Sequence, residues 1–151
     1  MMIDPVDNAV DRFRRGYNCA QAVLSAYAND LGLSEDAALR LAGLFGGGMG
    51  RRGEVCGAVT GALMVLGLKF GSTTAGDAVG KERQYGVARE LMSRFRERRR
   101  SILCRELLGC QLSTAEGWQE AQDRGLFLNL CPELIRDAAE IVSQLLRSEP
   151  G

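Results

Sequence analysis

The chain has 151 residues, 46% hydrophobic and 25% charged, which is enough for one globular domain with a sizeable core. Nineteen Lys and Arg balance nineteen Asp and Glu, so no global charge steers the protein toward nucleic acid or an anionic membrane. Five cysteines and no histidine remove the usual general base and the commonest metal ligand, leaving thiolates, carboxylates and backbone dipoles to carry any chemistry.

The first stretch, MMIDPVDNAVDRFRRG, lacks the long apolar core of a secretory signal, and a cytoplasmic location is expected. Ile3, Val6, Val10 and Phe13 at helical spacing instead predict an amphipathic helix over 4–15, ended by Gly16. Asn18 caps a second helix over about 18–31, which Gly32 stops, and Ser34 caps a third reaching about Phe45. A glycine-rich loop, 46–53, leads into an apolar helix from Glu54 to about Phe70. That helix is hydrophobic all round, and the pattern predicts a central helix covered on most sides. The longest apolar run, 55–68, is too short and too rich in glycine to span a bilayer.

Residues 71–76 read as a polar turn before a long charged helix over 77–100. Ser101 starts a short helix that Gly109 terminates, and Ser113 with Glu116 matches a capping box for a helix to about Arg124. Cys131-Pro132 puts proline at the first position of a last helix, to about Leu146. No alternating strand pattern and no repeat is present. The expected fold is all-α, one domain over 1–151, a helical bundle around the buried helix at 54–70.

The cysteines are the candidate functional residues. An odd number in a chain without an export signal argues against a disulfide framework. Cys19, Cys56 and Cys131 sit at predicted helix starts, where unpaired N–H groups and the positive dipole end favour a thiolate. One dipole lowers a thiol pKa by about one unit, so several helix ends would have to converge to activate a sulfur strongly. Cys104 and Cys110 flank the helix-ending Gly109, and a reversal there could pair them or aim both at a third partner. There is no C-x-x-C, hence no thioredoxin-type pair and no zinc knuckle, but dispersed cysteines could still assemble a site; all-thiolate ligation favours zinc or iron–sulfur. Against this stands the ordinary role of free cysteine as a small buried hydrophobe.

Residues 48–53, GMGRRG, match G-x-G-x-x-G, yet a helix rather than a strand precedes them, so a dinucleotide site is not expected. The loop could expose N–H groups as an anion nest beside Arg51 and Arg52. Gly53, Gly57 and Gly61 recur every four residues, a bare stripe suited to close helix packing or to a cofactor, and Thr60 lies one turn after Cys56. The run RFRERRR at 94–100 reads as a solvated helix face, and Trp118 and Phe127 as core or interface.

NCAQAV at 18–23, FGGGMGRRGEVCGAVTGA at 45–62, SILCRELLGC at 101–110 and LCP at 130–132 together resemble the redox-active proteins named for the pattern C, GCAxxG, C, C. Here the central element reads C-G-A-x-x-G, from Cys56 to Gly61. The family pattern holds four cysteines: Cys56 takes the motif position, Cys19 the first and Cys131 the last, while Cys104 and Cys110 compete for the third. The resemblance implies a redox role, with an iron–sulfur or other metal centre as one form of it, and association with an oxidoreductase or a transporter.

The expected function is therefore electron transfer by a dithiol/disulfide or a cysteine-ligated metal. Cys19, Cys56, Cys104, Cys110 and Cys131 are the catalytic or ligating candidates, with Cys56 as nucleophilic or ligating thiolate. Gly53, Gly57, Gly61 and Thr60 are the cofactor-contact candidates. The competing expectation is a small-anion binding module at loop 46–53 with purely structural cysteines. No nucleic-acid or membrane partner is expected; a homodimer is compatible with the pattern.

Overall fold

The structure, a computed structural model, describes residues 3–148. It is all-α, with eight helices of five residues or more among the described residues. Asp4 caps α1 (Pro5–Arg14), accepting from the Val6 N–H at 3.0 Å. A full capping box opens α2 (Cys19–Ala28): the Asn18 side chain accepts from Gln21 N, and the Gln21 side chain accepts from Asn18 N. The same two side chains also donate to the carbonyls of Gly43 and Leu39, fixing the start of α2 against the end of α3 (Glu35–Ala42).

The apolar helix α4 (Gly57–Phe70) is buried at Gly57–Ala62, Val65 and Leu66, and emerges at Leu68 and Lys69. It packs against α2, against α5 (Ala78–Arg99) and against α8 (Cys131–Arg147). The glycine stripe sets how near α2 comes. A β-carbon at Gly61 would lie 2.8 Å from the Ala20 carbonyl oxygen, so the stripe serves helix packing there. Tyr27 donates to the Ala139 carbonyl at 2.9 Å, tying α2 to α8.

Several boundaries differ from the sequence expectation. The apolar helix begins at Gly57 rather than Glu54, because Val55 is held in a bridge with Leu103, and α3 ends at Ala42 rather than reaching Phe45. The short helix α6 (Cys104–Leu108) begins three residues after Ser101, because Val55 and Leu103 form an isolated antiparallel bridge that keeps Leu103 extended. Thr114 rather than Ser113 caps α7 (Ala115–Asp123), accepting from Gly117 N at 2.9 Å. Pro132 is the second residue of α8, whose first is Cys131. The 94–100 run is only partly a solvated face: Arg98 and Arg99 pair with Asp137 and, respectively, with Glu140 and Glu133 of α8.

Two apolar clusters result. The larger joins α1, α2, α4, α5 and α8; the smaller gathers Cys104, Leu108, Leu112, Ala121, Leu126 and Cys131. A cavity opens where they meet. No described helix is long and apolar enough to cross a membrane.

Candidate functional site: four thiols around one cavity

Local sequence delivers each cysteine by a different device. Asn18 caps α2 so that Cys19 is its first residue, and Cys131 is likewise first in α8. Cys56 caps α4 from an extended conformation, φ −53° and ψ 133°. Cys104 is first in α6 because of the bridge: Cys56 N donates to Ile102 O and Cys104 N donates to Glu54 O, both at 2.7 Å. Two backbone bonds thus clamp the exit of the glycine loop to the entry of α6 and bring Cys56 beside Cys104.

The loop itself is ordered by left-handed backbone. Gly47, Gly48, Met49, Gly50 and Arg51 all have φ between 61° and 71°. For Met49 and Arg51 this conformation costs about 1–2 kcal/mol each. Backbone bonds offset it, because the N–H groups of every residue from Met49 to Glu54 donate to loop carbonyls. Those donors are consumed, so residues 49–54 do not form the anion nest that the sequence suggested. The turn also makes room for sulfur: a β-carbon at Gly48 would fall 2.7 Å from the β-carbon of Cys104.

Cys19, Cys56, Cys104 and Cys131 line one cavity of about 540 Å³, with Phe13, Leu44, Leu107, Leu112, Trp118 and Phe127 among its apolar walls. Gly57 lines it too, whereas Gly53 and Gly61 do not. A β-carbon at Gly53 would meet the Gln111 Oε1. The Thr60 hydroxyl turns back to donate to the Gly57 carbonyl at 3.2 Å and does not reach the cavity. Cys110 stands apart: past the reversal at Gly109, with φ 70°, it lies beside Glu120 and Arg124 and not on the cavity wall. All five cysteines are unpaired.

Burial dominates the thiol electrostatics. It pushes Cys56 up to about 11, with the N–H groups of Ala58 and Val59 acting against it. It pushes Cys104 up to about 12, helped by the neighbouring sulfurs of Cys56 and Cys131. The helix starts therefore do not make Cys56 a thiolate: desolvation outweighs one dipole. Cys19 and Cys131 behave as a pair. Hydrogen bonding to Cys131 holds the Cys19 proton well above the ordinary range, assisted by burial and by the charges of Cys56, Cys131 and Cys104. The same bond favours the charged form of Cys131, which falls below 9.0 in spite of burial. Of the cavity thiols, Cys131 is the one whose surroundings favour the charged form.

The donor set suits a soft metal by its chemistry. By position, no three His, Cys, Asp or Glu side chains among the described residues are gathered about one point for metal ligation, so a single zinc ion does not fit this arrangement. A polynuclear iron–sulfur cluster makes a different demand, because its cysteines bind separate irons. Four thiols spread around a cavity are compatible with that demand.

Sequence reasoning named all four cavity cysteines, but it read Trp118 and Phe127 only as core or interface and Arg51 only as a neighbour of the loop, without the grouping of the three at the mouth. There the Arg51 guanidinium lies 3.9 Å from the Trp118 ring centroid, and Trp118 packs on Phe127 with centroids 5.1 Å apart. These residues come from distant parts of the chain, and no local pattern links them.

No curated protein and no solved structure matches the chain. A family model described as "Putative redox-active protein (C_GCAxxG_C_C)" matches residues 17–145, a span that holds the four cavity cysteines and Cys110. The chain belongs to the C_GCAxxG_C_C family.

Proposed function

We propose that the cavity is a redox centre working by thiol–disulfide exchange, with Cys131 as nucleophile and Cys19 as resolving thiol. The observation that carries this reading is geometric: Cys19 and Cys131, the first residues of α2 and α8, line the same cavity, and the hydrogen bond between them favours the charged form of Cys131. The Cys131 thiolate attacks one sulfur of a partner disulfide and expels the other as a thiolate, giving a mixed disulfide. Cys19 then loses its proton and attacks the Cys131 sulfur. That step expels the second partner thiol and leaves a Cys19–Cys131 disulfide. Two electrons pass from this protein to the partner, and a partner dithiol returns them by the reverse path. Cys56 and Cys104, protonated at neutral pH, line the cavity without taking part in the exchange. The partner class is another dithiol protein, in keeping with an oxidoreductase association, and the compartment is a reducing one such as the cytoplasm.

A second reading is favoured by one further observation: the four thiols come from four helix starts around one volume. In that reading Cys19, Cys56, Cys104 and Cys131 hold an iron–sulfur cluster, which supplies one-electron transfer. Anaerobic purification with iron analysis, visible absorption and a thiol count separates the two. The exchange reading expects no stoichiometric iron and five titratable thiols that fall to three on mild oxidation. Iron at two to four atoms per chain with visible absorbance would replace it with the cluster reading.

A further inference from the structure

The cavity is much larger than a pair of sulfurs needs. Its volume, about 540 Å³, lies in the range of small-molecule sites, roughly 300–1,000 Å³. Its wall is apolar, and no Asp or Glu lines it. Asn18 is the one neutral amide on the wall, and its side chain is already engaged by the Gln21 N–H and the Gly43 carbonyl. One charged side chain faces the opening. Arg51 lines the cavity, makes no ion pair among the described residues, and is held by its stack on Trp118. A guanidinium that is partly desolvated by an aromatic face and lacks a carboxylate leaves its donors free for an incoming anion.

The geometry points to a binding site for a small organic monoanion: an apolar, preferably aromatic body between Phe13, Leu112 and Phe127, and a carboxylate or sulfonate on Arg51. Its inner end then lies against Cys131 and Cys19. As an assignment of substrate class this rests on the exchange reading; as a binding site it does not. Recognition comes from the Arg51 side chain and the apolar wall; the N–H groups of residues 49–54 are spent on backbone carbonyls and do not contribute.

The test uses the full chain and anilinonaphthalene sulfonate, an aromatic monoanion whose fluorescence rises in apolar surroundings. The site predicts saturable binding at one probe per chain, and slower iodoacetamide labelling of Cys131 but not of Cys110 when the probe is bound. Arg51→Gln weakens binding about tenfold, the loss of one charge-assisted contact. Arg51→Glu weakens it further, while the uncharged N-phenylnaphthylamine is indifferent to both changes. Circular dichroism checks that the variants fold. Non-saturable binding, equal affinity for wild type and both Arg51 variants, or no protection of Cys131 would overturn the site. Probe binding by a wild-type protein that shows no thiol–disulfide exchange would leave the site standing and remove only the redox reading. Exchange without probe binding would do the opposite.

Discussion

Gly57 of α4 stands where a β-carbon would lie 2.9 Å from the β-carbon of Cys19. The glycine after the motif cysteine is thus the seat of a thiol on another helix. Gly48 has the same relation to Cys104 at 2.7 Å. For two of the four cavity thiols, Cys19 and Cys104, sulfur placement thus depends on a glycine in a distant stretch of the chain.

Replacing Gly57 or Gly61 by Ala therefore overpacks the α2–α4 crossing and lowers stability by about 1–3 kcal/mol. Gly67, on the same helix, has no atom within 4 Å of where its β-carbon would be. Gly67→Ala gains about 0.5–1 kcal/mol from helix propensity alone. Urea unfolding of the three variants at equal m-value checks the opposite signs.

The hydrogen bond between Cys19 and Cys131 favours the charged form of Cys131, and the exchange reading makes that sulfur the reactive one. Iodoacetamide labelling followed by peptide mapping across pH should find Cys131 alkylated at lower pH than Cys56 or Cys104, whose values lie near 11 and 12. Cys19→Ala removes the donor and moves the Cys131 profile to higher pH; a rise of about one unit cuts its thiolate fraction about tenfold. Cys19→Ser keeps an O–H donor and falls between the two.

Burial of Cys56 makes stability depend on alkaline pH. The thiol ionises near 9.0 in the unfolded chain and near 11 in the folded one. Its contribution is fully present below pH 9 and is lost as pH rises through 11, because only the unfolded state gains by ionising in that window. Two units correspond to about 2–3 kcal/mol. Cys56→Ala, measured against wild type by thermal melting from pH 8 to 11, should flatten the decline.

Cys110 lies off the cavity, its thiol raised by burial and by the Glu120 charge. Cys110→Ser should leave the exchange rate and the Cys131 pH profile within about twofold of wild type. A larger change, seen by the same labelling assay, would bring Cys110 into the centre.

Much of this architecture is legible in the residues. Caps at Asn18 and Ser34 and stops at Gly32 and Gly109 act where side-chain chemistry places them. The Cys104 helix start is not legible, because it depends on the bridge between Val55 and Leu103, a pairing of two isolated residues without any strand pattern. The thiol ionisation states are not legible either. A helix start argues for a thiolate, and only the packing around Cys56 and Cys104 shows that desolvation wins. The left-handed run through Met49 and Arg51 likewise hides behind glycines that read as mere flexibility.

The account stands on the meeting of Cys19 and Cys131. The most direct measurement oxidises the folded protein with a graded glutathione series, traps it with acid, and maps its disulfides by mass spectrometry. A single Cys19–Cys131 bridge should form and reverse in one two-electron step, with Cys56, Cys104 and Cys110 still reduced at its midpoint. A bridge between any other pair, or five thiols that stay reduced throughout the series, would contradict it.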